Sequence, residues 1–233
     1  MRFSVDKEVF EKLKGICFGI VIAKGIDNKS KVKQVSDMLD ENTENIRKKL
    51  KDVNLKEYPA ISVYREAFID LGINPNKYMS SIEALTKRIL KGADLPKINN
   101  IVDLGNAISL KYVLPLGAHD MDKLQDDLEI RFSQDGDLFM PFGMNEQEKV
   151  EGGELVYVSG NTIKTRKWIW RQSDEGKIDE ETSNVFFPID GFMGKNNNEV
   201  LSARDELAKT IEQLFECEIK IGFIDENNTS IEL

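Results

Sequence analysis

Residues 64–120 decide the fold: YREAFIDLGINPNKYMSSIEALTKRILKGADLPKINNIVDLGNAISLKYVLPLGAHD, opening at Tyr64 and closing at Asp120. Three helices are predicted here, each with its own punctuation. Pro59 suits a first helical position, with Ile61, Tyr64, Phe68 and Leu71 following at helical spacing. Gly72 closes that helix as a left-handed cap. Ser80 and Glu83 read as a capping box, the serine capping the helix start and the glutamate reaching back to the serine amide. Ile82, Leu85, Ile89 and Leu90 form one apolar face, and Gly92 ends it. Asn100 reads as the cap of a third helix running to about Tyr112. The three helices then converge on a tight Pro/Gly turn that holds the sole histidine, His119. Arg65, Asp103, Asn106 and Ser109 are polar residues among apolar ones, a pattern that suggests a pocket.

Working outward, FSV near the start and GICFGIVIA (15–23) read as strands, and about 30–51 reads as a surface helix with a thin apolar stripe. After His119 the period switches to two. LEIRFS, DLFMPFG, ELVYVSG, TIKTRKWIWRQ and NVFFPID are strands separated by turn residues such as Asp135-Gly136 and Gly160-Asn161. A helix from Glu199 to about Phe215 and a last strand CEIKIGFID complete an α+β chain, with helices packed on an antiparallel or mixed sheet. No repeat, low-complexity segment or linker divides the 233 residues.

Composition narrows the function class. Cys17 and Cys217 lie far apart, which fits two reduced thiols in a cytoplasmic protein. The run 15–23 is preceded by acids and followed by Lys24, so it reads as a buried strand and not as a signal peptide, and no run approaches membrane-helix length. The net charge of −9 argues against broad nucleic-acid binding. It is unevenly placed: residues 1–120 carry 20 Lys/Arg against 16 Asp/Glu, and residues 121–233 carry 12 against 25. Any nucleic-acid partner would favour the first half or the basic patch from Lys164 to Arg171. One histidine cannot build a multi-histidine metal site, and no cofactor motif is present, so neither metal nor cofactor is expected.

Several side chains have the chemistry of a site. His119 is either a hydrogen-bonding or acid–base group or a structural turn histidine. Asp103 and Asn106 lie one turn apart and share a face, where with Ser109 they either line a polar pocket or, for Asp103, answer the helix dipole. On a continuous strand KTRKWIWRQS, the residues Arg166, Trp168, Trp170 and Gln172 would share one face. Two tryptophans there are either core or flank a flat ligand. Arg171 and Gln172 can bind a carboxylate or amide, and the four basic residues can touch phosphate or simply keep an edge strand soluble.

Taken together, YREAFIDLGINPNKY, SIEALTKRILKG, INNIVDLGNAISLKYVLPLGAHDMDKL, WIWRQS and TSNVFFPIDG resemble the B3/B4 domain. That domain is found in the β subunit of bacterial phenylalanyl-tRNA synthetase and also as separate proteins, to which the match is more specific. The resemblance covers about 59–214, leaving 1–58 as an N-terminal strand and helix extension and 215–233 as a C-terminal strand of one domain. In the synthetase the domain is an α+β editing module that hydrolyses tyrosine wrongly attached to phenylalanine tRNA. Its pattern Pro-Leu-His-Ala-Phe-Asp matches Pro115 to Asp120, so its pocket histidine falls on Gly117, and His119 takes the phenylalanine position. Its pocket glutamate falls on Pro188, and its glycine-rich segment on the bulky run Trp168 to Ser173.

The resemblance implies a hydrolase of mischarged aminoacyl-tRNA, with the aminoacyl-tRNA or tRNA acceptor end as partner and no membrane. Such hydrolysis can work by positioning water against an activated ester. His119 and Asn106 are the candidate catalytic residues, and Arg65, Asp103, Asn106, Gly117, Arg171 and Gln172 the candidate substrate-binding ones. The alternatives are a non-catalytic module binding a tRNA end, an amino acid or a nucleotide, and an unrelated small-molecule enzyme using the same pocket.

Overall fold

A computed structural model describes residues 1–233. The chain runs β1 (Arg2–Val5), α1 (Lys7–Lys12), β2 (Ile16–Lys24), α2 (Lys33–Leu50), α3 (Pro59–Asp70), α4 (Ser81–Leu90) and α5 (Asn100–Tyr112). It continues through β3 (His119–Asp120), β4 (Leu128–Phe132), β5 (Leu138–Phe139), β6 (Glu148–Lys149), β7 (Leu155–Ser159), β8 (Thr162–Arg166) and β9 (Arg171–Gln172). It ends with β10 (Asn184–Phe192), α6 (Asn197–Leu214), β11 (Glu218–Ile224) and β12 (Ser230–Glu232). The fold is α+β, as the sequence predicts.

Two sheets carry the helices. One has the order β12-β1-β4-β7-β8-β5-β6, with β9 also on β8; the other has the order β11-β2-β10-β3. Both are largely antiparallel, but β1 runs parallel to β4 and β5 to β8. β2 is buried along nearly its whole length and pairs on both sides, which explains its unbroken apolar run. The sheets meet on an aromatic cluster: Phe3 lies 4.7 Å from Phe186, 6.2 Å from Phe18 and 6.3 Å from Tyr157, ring to ring. α6 docks where two strands lack side chains: a Cβ on Gly19 would sit 2.9 Å from Val200, and one on Gly191 would collide with the same residue.

The structure corrects several sequence-derived expectations. Ser80 does cap α4, accepting from the Glu83 amide at 3.4 Å, but the Glu83 carboxylate is taken by Arg65 at 2.6 Å, so the box is only half formed. Asn99 caps α5, and Asn100 instead accepts from Val32 N at 3.0 Å to hold the loop before α2. The chain reverses at Val113, in the left-handed region at φ 56, where Ser109 Oγ donates to Leu114 O at 2.6 Å. Residues 115–117 therefore form no tight turn; they run extended beside β10, with Asp190 N donating to Pro115 O and Gly117 N to Pro188 O. KTRKWIWRQS is not one strand. It breaks at Lys167 (φ 47) and Trp168 (φ 62), a costly conformation for non-glycine residues. Finally, CEIKIGFID is not the last strand, because β12 returns to pair with β1.

Candidate functional site

The break after β8 turns Trp168 inward. Glu154 holds the turn, accepting from Lys167 N at 3.0 Å and from Arg166 Nε at 2.9 Å, while Trp168 N donates to Leu155 O at 2.6 Å. The fully buried indole then donates from Nε1 to Asp190 Oδ1 at 2.6 Å. Tyr157 OH donates to the same oxygen at 2.8 Å, and Tyr64 OH donates to the Asp190 backbone carbonyl at 2.8 Å. Asn196 Nδ2 in turn donates to Tyr64 OH at 2.9 Å, tying the N-terminus of α6 to this network.

A cavity of about 100 Å³ has Asp190 among its lining residues. Gly117, His119, Arg171 and Gln172 all line it, along with Ser81, Tyr157, Trp168 and Pro188. His119 is 2 % exposed, and its ring stacks on Tyr157 at 5.3 Å between centroids. Its Nδ1 is buried without a hydrogen-bond partner. A buried lone pair costs less to leave unpaired than a buried N–H, so the favoured tautomer carries its proton on Nε2. Nε2 lies beside Gly117, 3.6 Å from where a Cβ on that glycine would stand. The histidine expected at position 117 from the resemblance is thus answered by an imidazole two residues on, in the same extended segment. Pro188, at the expected glutamate position, packs 3.3 Å from the same Cβ point.

His119 and Asp190 in this cavity are both pushed toward neutrality. Burial, reinforced by the Lys164 charge, pulls His119 down to about 3, so its imidazole is neutral near pH 7. Burial pushes Asp190 up to about 7, with the Tyr157 and Trp168 hydrogen bonds opposing the shift. Gln172 Nε2 donates to Ala118 O at 2.7 Å, which fixes the amide at the cavity wall. Arg171 is exposed at the cavity and makes no ion pair or side-chain hydrogen bond. It is the free guanidinium of the basic segment. Arg166 and Lys167 are clamped by Glu154, at 2.8 and 2.5 Å, and Lys164 is buried.

The remaining residues singled out in the sequence lie elsewhere. Arg65 bridges α3 to α4, donating to Glu83, to Pro75 O at 3.0 Å and to Asn76 Oδ1 at 2.8 Å. Asp103 accepts from Ile98 N at 2.9 Å at the start of α5, so it does not share a pocket with Asn106. Asn106 lines an adjoining depression of about 280 Å³ with Ser109 and Arg88, which meets the His119 cavity at Ser81 and Leu116. Sequence reasoning missed Asp190, Tyr157 and the inward turn of Trp168. One signal was available: Asp190 is the lone charge in NVFFPIDGF, a run otherwise apolar enough for both faces to be buried.

The fold and the cavity define an α+β domain with a small pocket between its two sheets. The chain belongs to the B3/4 domain family, whose model matches residues 63–216. It is similar to the phenylalanine–tRNA ligase beta subunit of Fusobacterium nucleatum, 31% identical over 121 residues, covering 52% of this chain and 15% of that protein. The same subunit from Streptococcus pneumoniae is 26% identical over 141 residues, covering 60% of this chain and 17% of that one. The chain spans less than a fifth of the length of these relatives. A solved N-terminal fragment of the phenylalanyl-tRNA synthetase beta-subunit from Pyrococcus horikoshii aligns over 93% of this chain and 49% of the fragment, at a TM-score of 0.47 and 11% identity. No helix is long and apolar enough to cross a membrane.

Proposed function

We propose that the cavity receives the aminoacyl end of a mischarged tRNA and hydrolyses its ester. The observation that supports this reading best is the pairing, in one small cavity, of a carboxyl titrating near neutrality with a neutral imidazole and a free guanidinium. Water attacks the ester carbonyl while ionised Asp190 takes its proton. Collapse of the tetrahedral intermediate breaks the bond to the ribose oxygen, which recovers that proton, and the products are the free amino acid and the tRNA hydroxyl. His119 Nε2–H faces the developing oxyanion, and Gln172 presents its carbonyl oxygen to the substrate ammonium. Arg171 at the mouth answers a phosphate of the terminal nucleotide. At about 100 Å³ the cavity is well below the usual size of ligand pockets, which favours a small side chain over a phenol ring.

Deacylation of a panel of mischarged aminoacyl-tRNAs tests the reading, with wild type beside Asp190→Asn and Arg171→Ala. Turnover of one charged pair, lost in Asp190→Asn with binding retained, supports hydrolysis. Gly117 and Pro188, where the resemblance expected a histidine and a glutamate, favour the second reading, capture without catalysis. Intact esters alongside saturable binding of charged tRNA select capture and sink the hydrolase.

A further inference from the structure

Lys164 does not line the His119 cavity, which it reaches only through its charge, and it is an unusual residue in its own right. Val158 pairs with Ile163 and Tyr157 with Thr165, so Lys164 is the extra residue of a β-bulge between β7 and β8. Bulges re-aim a side chain out of the regular alternation. This one sends a lysine into the protein, where it is only 2 % exposed. Its path is opened by Gly176, at φ +95, where a Cβ would stand 3.3 Å from Lys164 Cδ. The ammonium makes a single hydrogen bond, a long one of 3.4 Å to Lys123 O.

Lys164 lines a cleft of about 440 Å³ between residues 122–125 and 174–179, which shares no residue with the His119 cavity. Every other charged group lining the cleft has a partner. Lys123 pairs with Asp120 at 2.9 Å and Asp179 at 2.6 Å, and Lys177 with Asp174 at 3.0 Å. Asp122 accepts from Asn184 at 2.8 Å and Glu175 from Gln147 at 3.0 Å. Of the three lysines lining the cleft, Lys164 alone has no ion-pair partner. A buried ammonium with unused donors is costly, and an oxygen-bearing anion is what completes it.

We propose that this cleft binds a small oxyanion, a phosphate or carboxylate group, on the Lys164 ammonium. Burial lowers the lysine's proton affinity, and a bound anion restores it. The cleft is larger than a bare ion needs, so the oxyanion is one end of a larger polar molecule.

Calorimetry and thermal melts of the intact protein with sodium phosphate and with sodium acetate, against sodium chloride at equal ionic strength, test the site. A saturable response to at least one of the two is expected, and which one responds separates a phosphate-bearing from a carboxylate-bearing ligand. Lys164→Met and Lys164→Gln are each expected to weaken that binding roughly ten- to hundredfold, the worth of a charge-assisted hydrogen bond. Lys164→Met is also expected to melt no lower than wild type in chloride, because it removes an uncompensated buried charge and keeps the stem. No saturable response of wild type to either anion overturns the proposal whatever the variants do, and so does unchanged affinity in both variants.

Discussion

Replacing Asp190 by asparagine should change how stability depends on pH in a way that no surface carboxylate would. Asp190 titrates near 7 in the folded protein against an ordinary 3.8, and His119 near 3 against an ordinary 6.5. For Asp190, the native state holds a proton that the unfolded chain has lost, from about pH 4 to 7. Its contribution is fully present below the lower value and is lost as pH rises, at about 1.4 kcal/mol per pH unit. For His119, the unfolded chain gains a proton that the native state refuses, from about pH 6.5 down to 3. Its contribution is present above 6.5 and is lost as pH falls, at the same rate. Between about pH 4 and 6.5 the two slopes oppose each other and cancel.

Asparagine keeps an oxygen to accept from Tyr157 and Trp168 and cannot ionise. The stability of Asp190→Asn minus that of wild type should therefore climb by about 1.4 kcal/mol per unit from pH 4 to 7, a total of ~4 kcal/mol. The variant alone should become acid-sensitive, with the His119 slope exposed. Urea unfolding at half-unit steps from pH 4 to 8.5, followed by tryptophan fluorescence, measures both quantities. A difference that stays flat with pH would mean that Asp190 ionises normally, and the account of the cavity as a near-neutral site would fall with it.

Arg171→Ala should leave stability within about 0.5 kcal/mol, because the side chain is exposed and unpartnered, yet reduce binding of charged tRNA and flatten its salt dependence in a filter-binding assay. Gly117→Ala places a methyl 3.3 Å from Pro188 and 3.6 Å from His119 Nε2; a loss of about 1–2 kcal/mol in thermal melts and a sharp fall in turnover are expected. Trp168→Phe removes the indole donor from Asp190 and should cost roughly 2–4 kcal/mol, with the carboxyl pushed further up, which carbonyl-region infrared titration reads directly.

The helical part of the fold was legible because its signals are local. Pro59, Gly72, Ser80 and Gly92 each mark a boundary within a residue or two of the observed one, and the apolar spacing between them fits no other period. The candidate site was half legible for the same reason. Gly117 and His119 lie two apart in one extended segment, and Arg171 and Gln172 are neighbours, so four of the seven residues singled out do meet. What failed depends on distant partners. Lys167 and Trp168 adopt positive φ with no glycine to announce it, because Glu154, just before β7, and Asp190, on β10, hold them there. The same glutamate neutralises Arg166 and Lys167, so a segment that reads as a phosphate-binding patch offers one exposed free cation, Arg171, with Lys164 turned inward. Arg65 and Asp103 were drawn to a pocket by their apolar neighbours, yet each satisfies local structure at a helix end or between helices.

The near-neutral Asp190 also bears on how a substrate would be felt. An aminoacyl ester brings a positive α-ammonium, and an opposite charge within about 4–6 Å lowers a carboxyl by about 1–3 units. At pH 6.5 the empty site is about three-quarters protonated, so a ligand carrying that ammonium should expel roughly half to three-quarters of a proton from it on binding, whereas at pH 8.5 the carboxyl is already ionised and few should leave it. His119 contributes nothing to this count, since it is neutral throughout that range. Calorimetry with a non-hydrolysable 3′-amide analogue of aminoacyl-adenosine, in two buffers of different ionisation enthalpy, gives the number of protons released. The count for wild type minus that for Asp190→Asn cancels the ligand's own amine titration; a difference that falls from roughly half to three-quarters toward zero with rising pH places the ammonium against Asp190. A difference near zero at both pH values rules that placement out and leaves Asp190 a structural acceptor for Tyr157 and Trp168.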